Sequence, residues 1–351
     1  MQPKLMGSIY PGMSSIYPGT GSIYPRMWYN NKKGEMDMSK LRGRFAPSPS
    51  GRMHLGNLFS GLLAWLSVRS AGGTMVLRME DLDPDRCREE YAQQLADDLR
   101  WLGLDWDKGY QVGGPNGPYS QSERTELYAG AFRKLEEMGL VYPCFCTRAE
   151  RLAASAPHRS DGQIIYSGRC KYLTEKEKQE LSANRCPAWR LMIDNKEISF
   201  TDKLQGEYRE NLQEDCGDFI IRRSDGVYAY QLAVVYDDGA MEINQVVRGR
   251  DLLDSTPRQI YLHTLLGFQP PEFCHVPLLL APDGRRLSKR ERDLDMGALR
   301  QRFTPEELTG LLAFWAGQMD KPEPVRPAEL VKRFDWAKVP GGDITIDPQC
   351  L

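Results

Sequence analysis

The sequence has no run of 18 apolar residues, so it offers no segment long enough to cross a membrane as a helix. Its first residues lack a charged start followed by an apolar core, which argues against secretion. No G-x-G-x-x-G follows the first strand candidate, which disfavours a dinucleotide-binding oxidoreductase. Charge of one sign is missing too: 46 basic against 48 acidic side chains leave a net charge of −2. That balance neither favours nor excludes nucleic acid, so only local clusters bear on it. Histidine is scarce, with four in 351 residues, and the eight cysteines are too scattered for a disulfide framework. They fit a reducing cytosol with, at most, a local metal site. What is present is an ordinary globular composition, long enough for a large core and two or three domains.

Residues 7–27 repeat a heptad three times, "GSIYPGM", "SSIYPGT" and "GSIYPRM". Glycine and proline in every unit, with no helical period, predict that residues 1–40 form a low-complexity, disordered extension without a core of its own. An adhesive tail and a dispensable leader upstream of a start at Met36 or Met38 are the two readings, and the leader is favoured. From Leu41 the pattern changes. "GRF" predicts a strand, "APSPSGRM" a loop, and Leu58 to Arg69 a helix with apolar residues at Leu58, Leu62, Leu66 and Val68. "GTMVLRME" predicts a buried strand, and "SQSE" at Ser120–Glu123 a capping box opening a helix to about Met138. "GVYAYQLAVVYDD" and "INQVVRGRD" predict two further strands. "STPRQIYLHTLLGF" predicts a helix with Thr256 as its N-cap and Pro257 at its first position. Strands alternating with helices predict an α/β protein with a parallel sheet. Its first half spans 41–142 and its second 216–290. A polar, cysteine-bearing insertion at 143–215 interrupts it, and 291–351 forms a helical tail.

Two short stretches carry the chemistry. "RFAPSPSGRMHLGN" (Arg44–Asn57) ends a proline- and glycine-rich loop with a histidine just where a helix begins; a surface histidine and an anion site fit it equally. "GRRLSKR" (Gly284–Arg290) belongs to a cluster of Arg285, Arg286, Lys289, Arg290 and Arg292, which taken alone reads as a solvated basic loop. Together, "HLGN" resembles the HIGH signature and "RLSKR" the KMSKS signature of class I aminoacyl-tRNA synthetases. With "RFAPSPSG", "RMEDLDPDR", "YAYQLAVVYDD" and "VVRGRDLL", in order, the chain resembles the glutamate branch of that class.

The resemblance implies a Rossmann-like catalytic domain that activates L-glutamate with ATP and Mg²⁺. The amino acid's carboxylate attacks the α-phosphate in line and expels pyrophosphate, so the protein's work is positioning and charge stabilisation. It assigns ATP to His54, Gly56, Asn57 and Lys289, with His54 and Lys289 catalytic. A histidine at a helix N-terminus donates to phosphate where the helix dipole also favours an anion. Asn57 departs from the family's second histidine, and Arg286 replaces the first signature lysine with the same charge. Glutamate is assigned to Arg44 and Arg248 for its carboxylates, Glu80 for its ammonium, the Tyr230 hydroxyl, and the backbone of Phe45, Ala46, Pro47 and Ser48. A guanidinium pairs with a carboxylate through two bonds, which a glutamine amide cannot answer equally.

Cys144 and Cys146 in "CFC", with Cys170 in "YSGRC", either bind zinc through three thiolates or are three core cysteines; spacing alone does not decide. The pattern resembles the zinc site of small members of the branch, in which a tyrosine, here Tyr166, completes the set and the metal is structural. Only 62 residues follow Lys289, too few for a helical anticodon-reading domain as well as its connector. The chain therefore most resembles the small members that attach glutamate to the queuosine base in the anticodon of tRNA(Asp). A cytoplasmic monomer is expected. The alternatives are a truncated enzyme charging a tRNA 3′ end and a non-catalytic RNA-binding paralogue.

Overall fold

The computed structural model describes residues 41–147, 165, 166, 168–285, 287 and 295–346. The heptads, and the whole expected extension 1–40, lie outside the described residues.

β1 (Arg42–Phe45) runs through the proline-rich loop into the helix Leu55–Ser70, and β2 (Thr74–Leu77) follows. The helix lies directly on β1: a Cβ on Gly43 would stand 2.4 Å from a Val68 methyl, so only glycine permits that approach. After the helix Glu89–Leu102 come the short β3 (Lys108–Gly109) and the helix Thr125–Glu137. The next stretch holds β4 (Val141–Cys144), β5 (Ala188–Leu191), β6 (Glu197–Asp202), β7 (Gly206–Asn211) and β8 (Phe219–Arg222). Then the helix Tyr230–Ala240 leads to β9 (Gln245–Gly249), and the helix Thr256–Leu266 to β10 (Glu272–Val276). Two short strands, β11 (Leu279–Leu280) and β12 (Ile344–Thr345), pair in parallel around the helices Met296–Arg302 and Pro305–Trp315.

The chain is thus an α/β protein on a five-stranded sheet ordered β10-β9-β1-β2-β3, parallel throughout. From β1 the chain builds outward to β2 and β3, then crosses to β9 and β10 on the other side. β1 and β9 therefore flank the point where strand order reverses, and ligands of such sheets bind beyond the carboxyl ends of the strands at that point. β4, β5 and β8 form a separate antiparallel sheet, and β6 and β7 a hairpin. Among the described residues no helix is long and apolar enough to cross a membrane.

Three local expectations are corrected. "GVYAYQLAVVYDD" contains a helix, not a strand. Leu232, Ala233, Val234 and Val235 are all buried, so the run carries no polar face, and an unpatterned apolar run does not separate helix from strand. Its end decides: Asp237 pairs with Arg124 and Asp238 with Arg78, two arginines on one side. Neighbouring residues of a strand would point to opposite faces. The helix after Ser120 is present, but its box is not. Asp81 instead accepts from the Ser122 backbone N–H at 2.9 Å and its hydroxyl at 2.6 Å, within a tight turn at Gln121–Arg124. In the third case Ser255 is the N-cap and Thr256 the first helical residue, because the Thr256 hydroxyl is engaged by Arg248 at 2.8 Å.

Candidate active site

Arg44 is the penultimate residue of β1 and Arg248 of β9, so two buried guanidinium groups stand at the carboxyl ends of the strands flanking the reversal. Glu80 lies just past β2. Its backbone N–H donates to Pro47 O at 3.0 Å, and Arg78 N–H donates to Phe45 O at 3.1 Å. The Ser48 hydroxyl donates to Glu80 O at 2.8 Å. These bonds zip the Phe45–Ser48 backbone alongside Arg78–Glu80. Tyr230, first residue of its helix, completes the group. Burial pushes its hydroxyl up, the Glu80 carboxylate adds to this, and Arg248 and Arg44 oppose it. All four side chains are therefore within reach of one another's charge.

A buried layer beneath sets their geometry. Arg78 donates to Glu80 Oε1 at 3.1 Å and Asp238 Oδ1 at 2.8 Å, and Asp238 faces Arg44 Nε at 3.5 Å. Burial raises the Glu80 carboxyl above the ordinary range despite Arg78 and Arg44. Asp238 is also buried, yet Arg78 and then Arg44 hold it below that range. Two guanidinium groups, one carboxylate and a hydroxyl so close together can hold a small molecule with two carboxylates and an ammonium.

At the far end of the proline-rich loop, His54 caps the helix Leu55–Ser70 in extended conformation, and its backbone N–H donates to the Asn57 side-chain oxygen at 3.1 Å. Gly56 makes room for the imidazole: a Cβ there would press on the His54 ring at 3.2 Å. His54 forms an antiparallel bridge with Asp295, and Met296 N–H donates to Met53 O at 2.9 Å. The flank of the basic loop is thus tied to the histidine segment. Lys289, Arg286, Arg290 and Arg292 lie outside the described residues; Arg285 pairs with Asp283 at 2.5 Å. A 16-residue helix presenting its N-terminus and an imidazole suits phosphate.

In the antiparallel sheet region, Cys144, Cys146 and Cys170 converge, with their sulfurs within 4.8 Å of one another. The Tyr166 oxygen stands 3.4 Å from Cys144 Sγ and 3.5 Å from Cys146 Sγ, and Cys146 and Cys170 are 3.4 Å apart. Thiolates at tetrahedral corners about 2.3 Å from zinc stand about 3.8 Å apart, so the four donors fit one ion after slight expansion. Cys170 donates to the Cys144 sulfur and, though burial opposes it, pulls that thiol down to about 4, with Tyr166 and Arg190 assisting. Cys170 itself is pushed up, because its proton serves Cys144.

Reading from sequence missed Arg78, Asp237, Asp238, Asp202 and His275. For Arg78, Asp237, Asp238 and His275 the available signal was a polar residue inside an apolar stretch, "VLRME", "VVYDD" and "FCHVP"; Asp202, in "SFTDK", carried none.

Comparison with known proteins follows the same lines. The family model of class I tRNA synthetases (E and Q), catalytic domain, matches residues 40–337. A glutamyl-Q tRNA(Asp) synthetase of Symbiobacterium thermophilum is 50% identical over 316 residues, which are 89% of this chain and 97% of that protein. A glutamate–tRNA ligase 1 of Thermoanaerobacter pseudethanolicus is 39% identical over 320 residues, 90% of this chain and 66% of that one. The crystal structure of a glutamate–tRNA synthetase from Elizabethkingia anophelis superposes with a TM-score of 0.77 at 29% identity, covering 88% of this chain and 68% of that one.

Proposed function

The chain belongs to the class I tRNA synthetases of the glutamate and glutamine type, and from that premise we propose that it activates L-glutamate with ATP and transfers it to the queuosine base in the anticodon of tRNA(Asp). One observation carries the amino-acid reading: Arg44, Glu80, Tyr230 and Arg248 converge at the strand reversal beside the His54 helix. The choice of acceptor is supported by 50% identity to a relative named for it, against 39% to a glutamate–tRNA ligase.

In this reading Arg44 and Arg248 answer the two carboxylates of glutamate, Glu80 its ammonium and Tyr230 an oxygen. The Phe45–Ser48 backbone lines the same pocket. His54, Gly56, Asn57 and Lys289 would hold ATP, with its Mg²⁺, and Lys289 would hold the phosphates during transfer. A carboxylate oxygen of glutamate bonds to the α-phosphorus, the bond to the β-phosphate breaks, and pyrophosphate leaves with the electron pair. A queuosine hydroxyl then attacks the activated carbonyl and AMP leaves. Cys144, Cys146, Tyr166 and Cys170 would hold a zinc ion, which would supply a structural crosslink apart from either step. The protein works as a cytoplasmic monomer.

Glutamate-dependent exchange of labelled pyrophosphate into ATP tests the first step. Exchange without any tRNA is expected, since the small members of the branch activate glutamate unaided. Exchange only on addition of tRNA would assign the chain to 3′-charging enzymes, and none under either condition to a non-catalytic paralogue.

A further inference from the structure

Arg248 is held from behind by a chain of buried polar groups that begins on a different part of the fold. Its Nε–H donates to His275 Nε2 at 3.0 Å, one terminal nitrogen donates to Gln259 Oε1 at 2.8 Å, and the other to Thr256 Oγ1 at 2.8 Å. His275 sits on β10, wholly buried, and its Nδ1 lies 2.6 Å from Asp202 Oδ2. Asp202 ends β6, in the hairpin outside the parallel sheet. Its Oδ1 accepts from the backbone N–H groups of Leu204 and Gln205 at 3.0 Å each and of His275 at 3.2 Å.

These contacts dictate where the imidazole proton is. A carboxylate can only accept, so the proton sits on Nδ1 and points at Asp202. Nε2 then keeps its lone pair for the Arg248 Nε–H. A doubly protonated ring would aim N–H at N–H. Burial, with the Arg248 charge adjoining, holds His275 below its ordinary pKa although Asp202 opposes this.

We infer that Asp202 and His275 are positioning residues for Arg248, through which the β6–β7 hairpin sets the direction of the guanidinium in the glutamate pocket. Neither touches the substrate. The inference rests on the reading of Arg248 as a glutamate ligand.

Asp202→Asn tests it with almost no change of shape. The Leu204 and Gln205 N–H groups, 3.0 Å from Oδ1, hold the amide oxygen there, while the His275 N–H reaches both oxygens at 3.2 Å; the NH₂ group therefore faces His275 Nδ1. The proton then moves to Nε2, and Arg248 loses its acceptor. In ¹⁵N NMR of the imidazole nitrogens, the native protein should show the Nδ1–H form and the variant the Nε2–H form. In the exchange assay the variant should raise KM for glutamate about tenfold or more, as expected for a lost hydrogen bond to a charged group, with KM for ATP unchanged. His275→Gln, whose side-chain oxygen can occupy the Nε2 position, should retain near-native KM for glutamate, whereas His275→Leu should raise it. This pair carries the test if Asp202→Asn does not fold. Arg248→Lys separates the two layers. If it leaves KM for glutamate unchanged, the pocket assignment itself is wrong. If it raises KM while Asp202→Asn lowers only the melting temperature, or while Gln and Leu at 275 behave alike, the pocket stands and the positioning role is overturned. A native Nε2–H tautomer would also overturn it.

Discussion

Asn57 stands where the family's first signature has a second histidine, and its oxygen closes the turn on the backbone N–H of His54. The Asn57 oxygen thus secures the loop that carries His54, and its amide nitrogen still offers N–H donors, which the proposed reading directs at phosphate. His54→Ala should lower turnover in pyrophosphate exchange about 10²–10³-fold, the usual loss for one preorganised donor, while KM for glutamate stays native. A raised KM with turnover intact would move His54 out of the phosphate site. A second residue sets a pH dependence. His263 is buried, and desolvation depresses its pKa from 6.5 to about 4, with Arg248 adding a little and Asp238 opposing. The unfolded chain binds this proton at higher pH than the folded one. The stability involved is therefore fully present above pH 6.5 and is lost as pH falls toward 4, by about 3 kcal/mol. His275, also depressed, acts in the same direction, while the raised Glu80 acts against it. The difference between the native protein and His263→Leu isolates the first contribution. Urea unfolding across that range should show the native protein losing stability faster than the variant, and parallel curves would contradict the buried neutral imidazole. Arg44, Glu80, Tyr230 and Arg248 were legible in sequence because each lies in a stretch with a family counterpart. Asp202 and His275 were not, since 73 positions separate them and neither stretch is a motif.

At the scale of elements, the helix Leu55–Ser70 was legible through its spacing, β2 and β9 through short apolar runs, and β1 only as the brief "GRF" ahead of the proline-rich loop. The helix Tyr230–Ala240 was not. Helical periodicity is visible only when one face is left polar, and this helix is enclosed by the helices Thr125–Glu137 and Thr256–Leu266, β8 and its arginines. The antiparallel elements at 141–222 were the least legible, because the cysteine cluster contributes order that no hydrophobic period records. Cys144, Tyr166 and Cys170 come together from separate points of that stretch, and in the proposed reading one zinc ion would join them. Freshly purified protein should carry one zinc per chain by atomic absorption. Cys144→Ser should release it and make the backbone amides of β4, β5 and β8 exchange faster. Three freely titrating thiols and no zinc would return the cluster to ordinary core cysteines.

For the whole molecule, the order β10-β9-β1-β2-β3 brings the early arginine of β1 and the late arginine of β9 to one crevice, although 204 positions separate them. In the proposed reading that convergence forms the glutamate pocket, and it does not by itself say which RNA hydroxyl receives the product. In the proposed reading an anticodon loop enters the face that serves an acceptor stem in larger relatives, with the basic side chains of 285–292 holding phosphates. Phosphate contacts position an RNA without reading it, so selection falls on the queuosine diol. Transfer of radiolabelled glutamate to three forms of tRNA(Asp) measures this directly: queuosine-bearing, queuosine-bearing without its 3′-terminal adenosine, and unmodified. The account predicts equal labelling of the first two and none of the third. Labelling of the unmodified RNA, with loss on trimming, would contradict it and leave a compact glutamate–tRNA ligase.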